Sequence, residues 1–311
     1  MSLHNTYPSV SRLRSTIVLL LLAATGSYGQ QQAQFTQYMF NGLVINPAYA
    51  GAEESLNVTA LTRSQWLGVE GAPVTQTLTA HSRVANDHTG VGLAIINDKI
   101  GIHKNLTINA SYSYRLLLSR TSWLSMGIQA GIDSKKSDYA SLTANMPGDP
   151  NQFQNNSSTF FDFGAGLYFN SPRLQIGFSM PNIMPGKISL QDTVGANLNP
   201  THYFLFSRYR FALNQNVNLE PSFLVKYVTG NPFSYDLNIN MVVQQVFTAG
   251  VSYRLSESID FLCRLKLSRQ LSSGFSYDFP VGKTASLRSS GTYEVMVNYA
   301  FTFSHKSVSP R

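Results

Sequence analysis

A single cysteine, Cys263, occurs in the 311 residues, so no internal disulfide can brace the fold. Charge is scarce too. Asp, Glu, Lys and Arg make up 13% of the chain, about half of the ~25% usual in soluble domains. Beyond residue 30 no apolar run approaches the ~20 residues of a membrane helix. His88, His103 and His202 have neither metal-ligand spacing nor a nearby cysteine pair. There is no Gly-x-Ser-x-Gly elbow and no glycine-rich phosphate loop. A Ser-His-Asp set could be drawn through His81 or His202, but six histidines among many serines and aspartates give such matches by chance. No catalytic residue, metal site or cofactor is therefore expected.

What is present points to a membrane. Aromatic residues are 12% of the chain and apolar residues 43%. Residues 1–29 read as a secretory signal, with Arg12 and Arg14 as the basic region, Ile17 to Ala24 as the apolar core, and small residues at Ser27 and Gly29. The apolar core is too short to anchor the chain, and no cysteine follows it to carry a lipid. The formal charge is +7, and removing the two leader arginines leaves +5. That excess is spread along the chain, so a nucleic-acid partner is not expected.

The dominant signal past Gly51 has period two. Leu106, Ile108, Ala110, Tyr112, Tyr114, Leu116 and Leu118 share one face, and Asn105, Thr107, Asn109, Ser111, Ser113 and Arg115 the other. Tyr293, Val295, Val297, Tyr299, Phe301 and Phe303 repeat the pattern against Thr292, Glu294, Asn298 and Thr302. Fourteen strands are predicted, over 55–65, 74–84, 88–97, 104–118, 122–133, 159–170, 173–180, 201–213, 217–229, 234–243, 246–254, 258–269, 271–279 and 291–304. A soluble sandwich would bury the apolar face on a second sheet, whereas a membrane barrel turns it to outer-membrane lipid. The connections favour the barrel. Residues 66–73, 134–158, 181–200 and 280–290 all follow odd-numbered strands, while 85–87, 119–121, 171–172, 214–216, 244–245 and 270 follow even ones. Long outer loops on one end and short periplasmic turns on the other are the barrel pattern. The expected fold class is all-β: a transmembrane outer-membrane β-barrel of about 14 antiparallel strands with an ordered N-terminal segment, both termini periplasmic.

Alternation turns Arg208, Arg210, Glu220, Lys226, Asp236, Arg254, Asp260, Arg264, Lys266, Asp278 and Glu294 toward the lumen. They are read either as a selective pore or as a filled lumen in which opposite charges pair across strands. Cys263 falls on the outward face with Phe261 and Leu265.

The segment Gln34 to Gly51 does not alternate. Phe35, Tyr38, Met39 and Phe40 are too apolar for a solvated tail, and Asn46-Pro47 signals a turn because Pro47 fixes its own φ and restricts Asn46. Gly51 permits any φ before the first strand. Phe35, Tyr38, Phe40, Asn46, Pro47 and Tyr49 are candidates for a structural plug or for a periplasmic docking strip. Trp66, with Gly68, Gly71 and Pro73, is a candidate interfacial aromatic or partner contact. The expected domains are a signal peptide over 1–29, a plug or docking segment over 30–54, the barrel over 55–304 and a short periplasmic tail over 305–311.

Phe35-x-Gln37-Tyr38-Met39-Phe40-Asn41 followed by Ile45-Asn46-Pro47-Ala48-Tyr49-Ala50-Gly51 resembles the opening of the PorP/SprF family of type IX secretion proteins. The likeness continues through Arg63-x-Gln65-Trp66-x-Gly68, Phe161 to Tyr168, Pro221 to Val228, Gly274 to Asp278 and Gly291 to Glu294. Gly42 departs from it, standing where the family opening is expected to have proline. The resemblance implies a non-enzymatic outer-membrane component of protein secretion and gliding motility. Its implied partners are secretion machinery proteins or a large secreted adhesin. The alternative is a porin or hydrophobic-compound transporter.

Overall fold

A computed structural model describes residues 33–84, 88–139, 156–183, 201–229, 231–282 and 290–302. The leader, most of the loops predicted over 134–158 and 181–200, Phe303 and the 305–311 tail lie outside the described residues.

The strands are β1 (Leu56–Ser64), β2 (Val74–Val84), β3 (Thr89–Ile100), β4 (His103–Leu117), β5 (Trp123–Ser137), β6 (Asn156–Asn170), β7 (Leu174–Met180) and β8 (His202–Tyr209). There follow β9 (Phe211–Ala212), β10 (Val217–Val228), β11 (Ser234–Val243), β12 (Phe247–Arg254), β13 (Ser258–Lys266), β14 (Leu271–Pro280) and β15 (Thr292–Phe301). β9 continues β8 past Arg210 and pairs with the same neighbour, β10. The fifteen segments therefore make fourteen staves. Each pairs antiparallel with the next, and β15 returns to β1 along Leu56↔Phe301 to Ser64↔Tyr293. The sheet is closed, so no strand edge faces lipid, as the absence of water in a bilayer core requires.

Alternation explains the wall. Leu78, Leu93, Ile108, Ile128, Phe163, Ile239, Phe275 and Val297 lie exposed on its outside. Thr59, Thr77, Ser113, Gln129, Ser222, Asn240 and Ser276 lie buried on its inside. Outward rings gather toward both ends: Tyr209 on Phe211 and Tyr299 on Phe301, each pair 4.5 Å apart, then Tyr227 on Phe233 at 4.7 Å and Tyr277 on Phe279 at 4.6 Å. Two aromatic girdles flanking an apolar band make a transmembrane barrel.

Two boundaries differ from the sequence expectation. β5 and β6 are each 15 residues long and stay paired up to Ser137↔Asn156, beyond the predicted limits of 133 and 159. Ser134, Lys136 and Ser157 are the outward positions there, so pairing continues where no apolar face is left to announce it. The predicted connection at 98–103 shrinks to a turn at Gly101 and Ile102, in which Gly101 takes φ +55.

A barrel of about eight strands is filled by its own side chains, and wider ones leave a channel. Here the space is taken by residues 33–51, most of them buried inside the wall. The even stave count puts Leu56 and Phe301 side by side at the short-turn end. From Leu56 the preceding chain turns back into the lumen.

Val297, lipid-facing near the middle of β15, distinguishes the two faces. Val297→Arg should cost about 2–4 kcal/mol and abolish the heat-modifiable barrel in outer-membrane fractions. Asn218→Arg, inward and half-buried, should assemble normally. Equal assembly of the two variants would overturn the assignment of faces.

Candidate functional site

The lumen segment is built from three short 3-10 turns, Tyr38–Phe40, Gly42–Val44 and Pro47–Tyr49. The last is fixed as the sequence suggests. Asn46 is extended, its side-chain oxygen accepts the Ala48 N–H at 2.9 Å, and Pro47 opens the turn. Gly51 follows at φ +67, where a Cβ would lie 2.6 Å from the Gly90 Cα.

The end of the segment near β1 is held by main-chain contacts. Ser113 Oγ donates to the Ala50 carbonyl at 2.7 Å and Arg115 to that of Gly51 at 3.2 Å. Ser179 Oγ donates to the Ile45 carbonyl at 2.5 Å, and Asn46 Nδ2 to the Leu167 carbonyl at 2.9 Å. Glycines form the seat. A Cβ on Gly127 would overlap the Ala48 backbone, and one on Gly166 would overlap the Asn46 side chain. Gly42 has a similar reason within the segment, because a Cβ there would lie 2.5 Å from the Tyr49 ring.

The middle is apolar. Phe35, Tyr38, Met39, Val44 and Ile45 cluster with Leu61, Ile96, Phe204, Phe206, Leu224, Leu262 and Met296 of the wall. Tyr38 meets Phe206 edge-on at 5.9 Å, and Tyr49 lies edge-on between His81 at 5.4 Å and Tyr168 at 5.3 Å. Phe40 carries the Arg264 guanidinium 4.9 Å above its ring.

The other end is charged. Glu294 accepts the Thr36 N–H at 3.0 Å and the Gln37 N–H at 2.9 Å, one on each oxygen. The Thr36 hydroxyl donates to Asp278 at 2.8 Å and accepts from Arg63 at 2.9 Å. Arg63 pairs with Asp278 at 2.7 Å and Glu294 at 3.3 Å. Arg254 adds contacts to Asp236 at 3.3 Å and Asp278 at 3.7 Å. Lys226 reaches Asp236 at 3.0 Å, and Arg210 reaches Glu220 at 2.6 Å. Opposite charges thus pair inside the wall, the filled-lumen alternative of the two.

Phe35, Tyr38, Phe40, Asn46, Pro47 and Tyr49 all lie in the lumen. Trp66 does not join them. It stands at the long-loop end at φ +49, half-buried, its main-chain N–H donating to Thr292 Oγ1 at 3.3 Å. The neighbouring Leu67 exchanges main-chain bonds with Ser290 and Gly291, tying the first loop to the last. Sequence reading missed Thr36 within the segment, and Arg63 and the seven apolar wall residues among its partners. A signal existed, since Leu224 and Leu262 sit at inward positions between polar neighbours. Among the described residues no cluster of His, Cys, Asp and Glu is arranged for a metal.

The fold and its occupied lumen define an outer-membrane barrel with an internal segment. A family model described as Type IX secretion system membrane protein PorP/SprF matches residues 27–299, and the chain belongs to that family. No curated protein sequence matches the chain. Among solved structures it is similar to the CymD monoaromatic hydrocarbon channel, at 10% identity and TM-score 0.50 over 85% of this chain and 94% of that one. It is also similar to the Acinetobacter baumannii outer membrane protein Omp33, at 10% identity and TM-score 0.45 over 81% of this chain and all of that one. At such identities the CymD likeness concerns the fold alone.

The carboxylate of Glu294 is the most exacting contact of the site. Glu294→Ala leaves two buried N–H groups without an acceptor and should destabilise the protein by about 3–5 kcal/mol. The temperature at which the folded band is lost on gels should fall, with Glu294→Gln between the two. An unchanged transition in Glu294→Ala would remove the carboxylate from the account.

Proposed function

We propose that the protein is a non-enzymatic outer-membrane component of the type IX secretion or gliding apparatus that assists export or surface anchoring of a secreted protein. Family membership supports the apparatus. The observation that carries the choice of holding over conduction is the occupied lumen. Residues 35–39 and 41–48 are buried inside the wall, and the wall's own apolar residues face them. With the segment seated, that core fills the axis a solute would cross. The partners are machinery proteins on the periplasmic side or a large adhesin on the outer side.

In this reading the short turns, the end of β15 and the C-terminus face the periplasm, and the long loops face outward. Cysteine labels applied to intact cells should then reach Asn155→Cys and Asp192→Cys but not Asn214→Cys. Labelling of the last alone would invert the barrel.

The segment serves the partner more than the wall. Every ladder pair joins one wall strand to another, so no strand hydrogen bond needs residues 33–51. Phe35, Tyr38 and Phe40 contribute about 1.5–3 kcal/mol each for full burial. Phe35→Ala/Tyr38→Ala/Phe40→Ala should release the segment, keep a heat-modifiable barrel, and reduce both partner co-purification and surface display of a dependent adhesin. Full partner binding together with much higher solute conductance would reduce the segment to a plug and move the transport reading ahead.

A further inference from the structure

The outer face of the wall carries one run of like charge. Lys99, near the end of β3, is the register partner of Lys104, near the start of β4, and Lys104 is the partner of Lys136, near the end of β5. Lys99 alternates onto the face of Leu93, Lys104 onto that of Ile108 and Lys136 onto that of Ile132, so all three point outward, and all are exposed. Among the described residues no other charged side chain occupies an outward strand position. Three ammonium groups thus stand side by side at the long-loop end, although like charges directly opposite each other destabilise a sheet.

The wall does not offset them. Asp98 and Asp133 alternate to the inside, where they accept from Thr75 at 2.5 Å and from Thr107 at 2.9 Å. Glu70 adjoins Gly71, whose carbonyl accepts the Gly101 N–H at 2.8 Å, and Asp138 follows β5. Neither reaches the row, and no carboxylate among the described residues forms an ion pair with Lys99, Lys104 or Lys136. The rows beneath change in a fixed order. Asn97, Leu106 and Ser134 come first, the Asn97 amide donating to Gln76 at 3.3 Å. Ile95, Ile108 and Ile132 come next, about 13 Å along the strands from the lysines, with Phe161 beside them 71% exposed.

We propose that Lys99, Lys104 and Lys136 bind the phosphates of a phosphorylated glycolipid of the outer leaflet, whose acyl chains lie along the apolar faces of β3 to β6 below. The assignment rests on the orientation proposed above, which turns the long loops outward. Phosphate supplies the counter-charge that the wall lacks, and long lysine stems can reach it from the edge of an apolar band. Cross-strand neighbours stand about 5 Å apart, so the row spans about 10 Å, more than one phosphate covers. A phospholipid with a single phosphate would leave a lysine unmatched. A headgroup with several anionic groups and several chains matches both the row and the four staves beneath it.

The test titrates the delipidated barrel in detergent micelles with diphosphoryl lipid A or with phosphatidylglycerol and counts bound lipid by native mass spectrometry. Lys99→Gln/Lys104→Gln/Lys136→Gln should bind diphosphoryl lipid A at least tenfold more weakly than the unaltered protein. The corresponding triple arginine variant should stay within threefold of it, and so should Arg120→Gln/Arg173→Gln/Arg269→Gln, which removes equal charge from the exposed short turns. Without lipid, the glutamine variant of the lysine row should keep its folded band to at least the unaltered temperature, because only repulsion has been removed. Undiminished binding by that variant, an equal loss in the short-turn variant, equally tight phosphatidylglycerol, or earlier unfolding without lipid would each overturn the proposal. The titration does not depend on orientation. Inversion of the barrel in the cysteine labelling above would place the row in the inner leaflet and overturn the assignment separately, whatever the titration gives.

Discussion

Two consecutive backbone amides, those of Thr36 and Gln37, end on the two oxygens of one carboxylate, and that carboxylate stands on the strand that closes the barrel. Glu294 is fully buried beside Arg63, its register partner across the seam. A buried carboxylate is costly unless it is charge-paired and hydrogen-bonded. Arg63 supplies the charge and the segment supplies the hydrogen bonds. Without residues 36 and 37 the seam would hold a half-satisfied ion pair, and without the seam the segment would have two orphan donors. The segment and the seam therefore share one buried ion pair, although the strand ladder itself does not depend on the segment.

The remaining contacts follow from lumen width. Fourteen staves enclose more space than inward side chains fill, so something must occupy the axis or water must. The wall is adapted to an occupant. Gly90, Gly127 and Gly166 leave room for main chain, and Ser113, Arg115 and Ser179 address main-chain carbonyls rather than side chains. Leu224, Leu262 and Met296, which would weaken a water-filled channel, find Phe35, Tyr38 and Met39 in the same cluster.

Much of this wall is legible in the sequence, because lipid forces a simple code. Outward positions must be apolar, inward ones are free, and the period is two. Where lipid ends, the code ends: β5 and β6 continue past 133 and 159 with serine and lysine outward, and only the ladder reveals them. The segment is legible as something docked, since Phe35, Tyr38 and Phe40 need cover, and Asn46-Pro47 turns where a proline turn is expected. Its seat is not. Arg63 and Glu294 lie 231 positions apart in the chain, and nothing local in either stretch says that the two meet. Their meeting is set by stave count and register, which are global.

That global origin also bears on what the segment can do. Its apolar centre is held by large side chains, each contributing a few kcal/mol at most, while its ends are held by polar contacts at opposite mouths. A partner pulling at the short-turn mouth meets Ser113 and Arg115 first, and one engaging the long-loop mouth meets the Thr36 cage first. Because Glu294 belongs to both the cage and the seam, the long-loop end of the segment is tied directly to the β15–β1 pairing. The chain thus joins its two mouths through a single continuous strip of polypeptide, and the end tied to the seam is the one through which partner contact could alter the barrel itself.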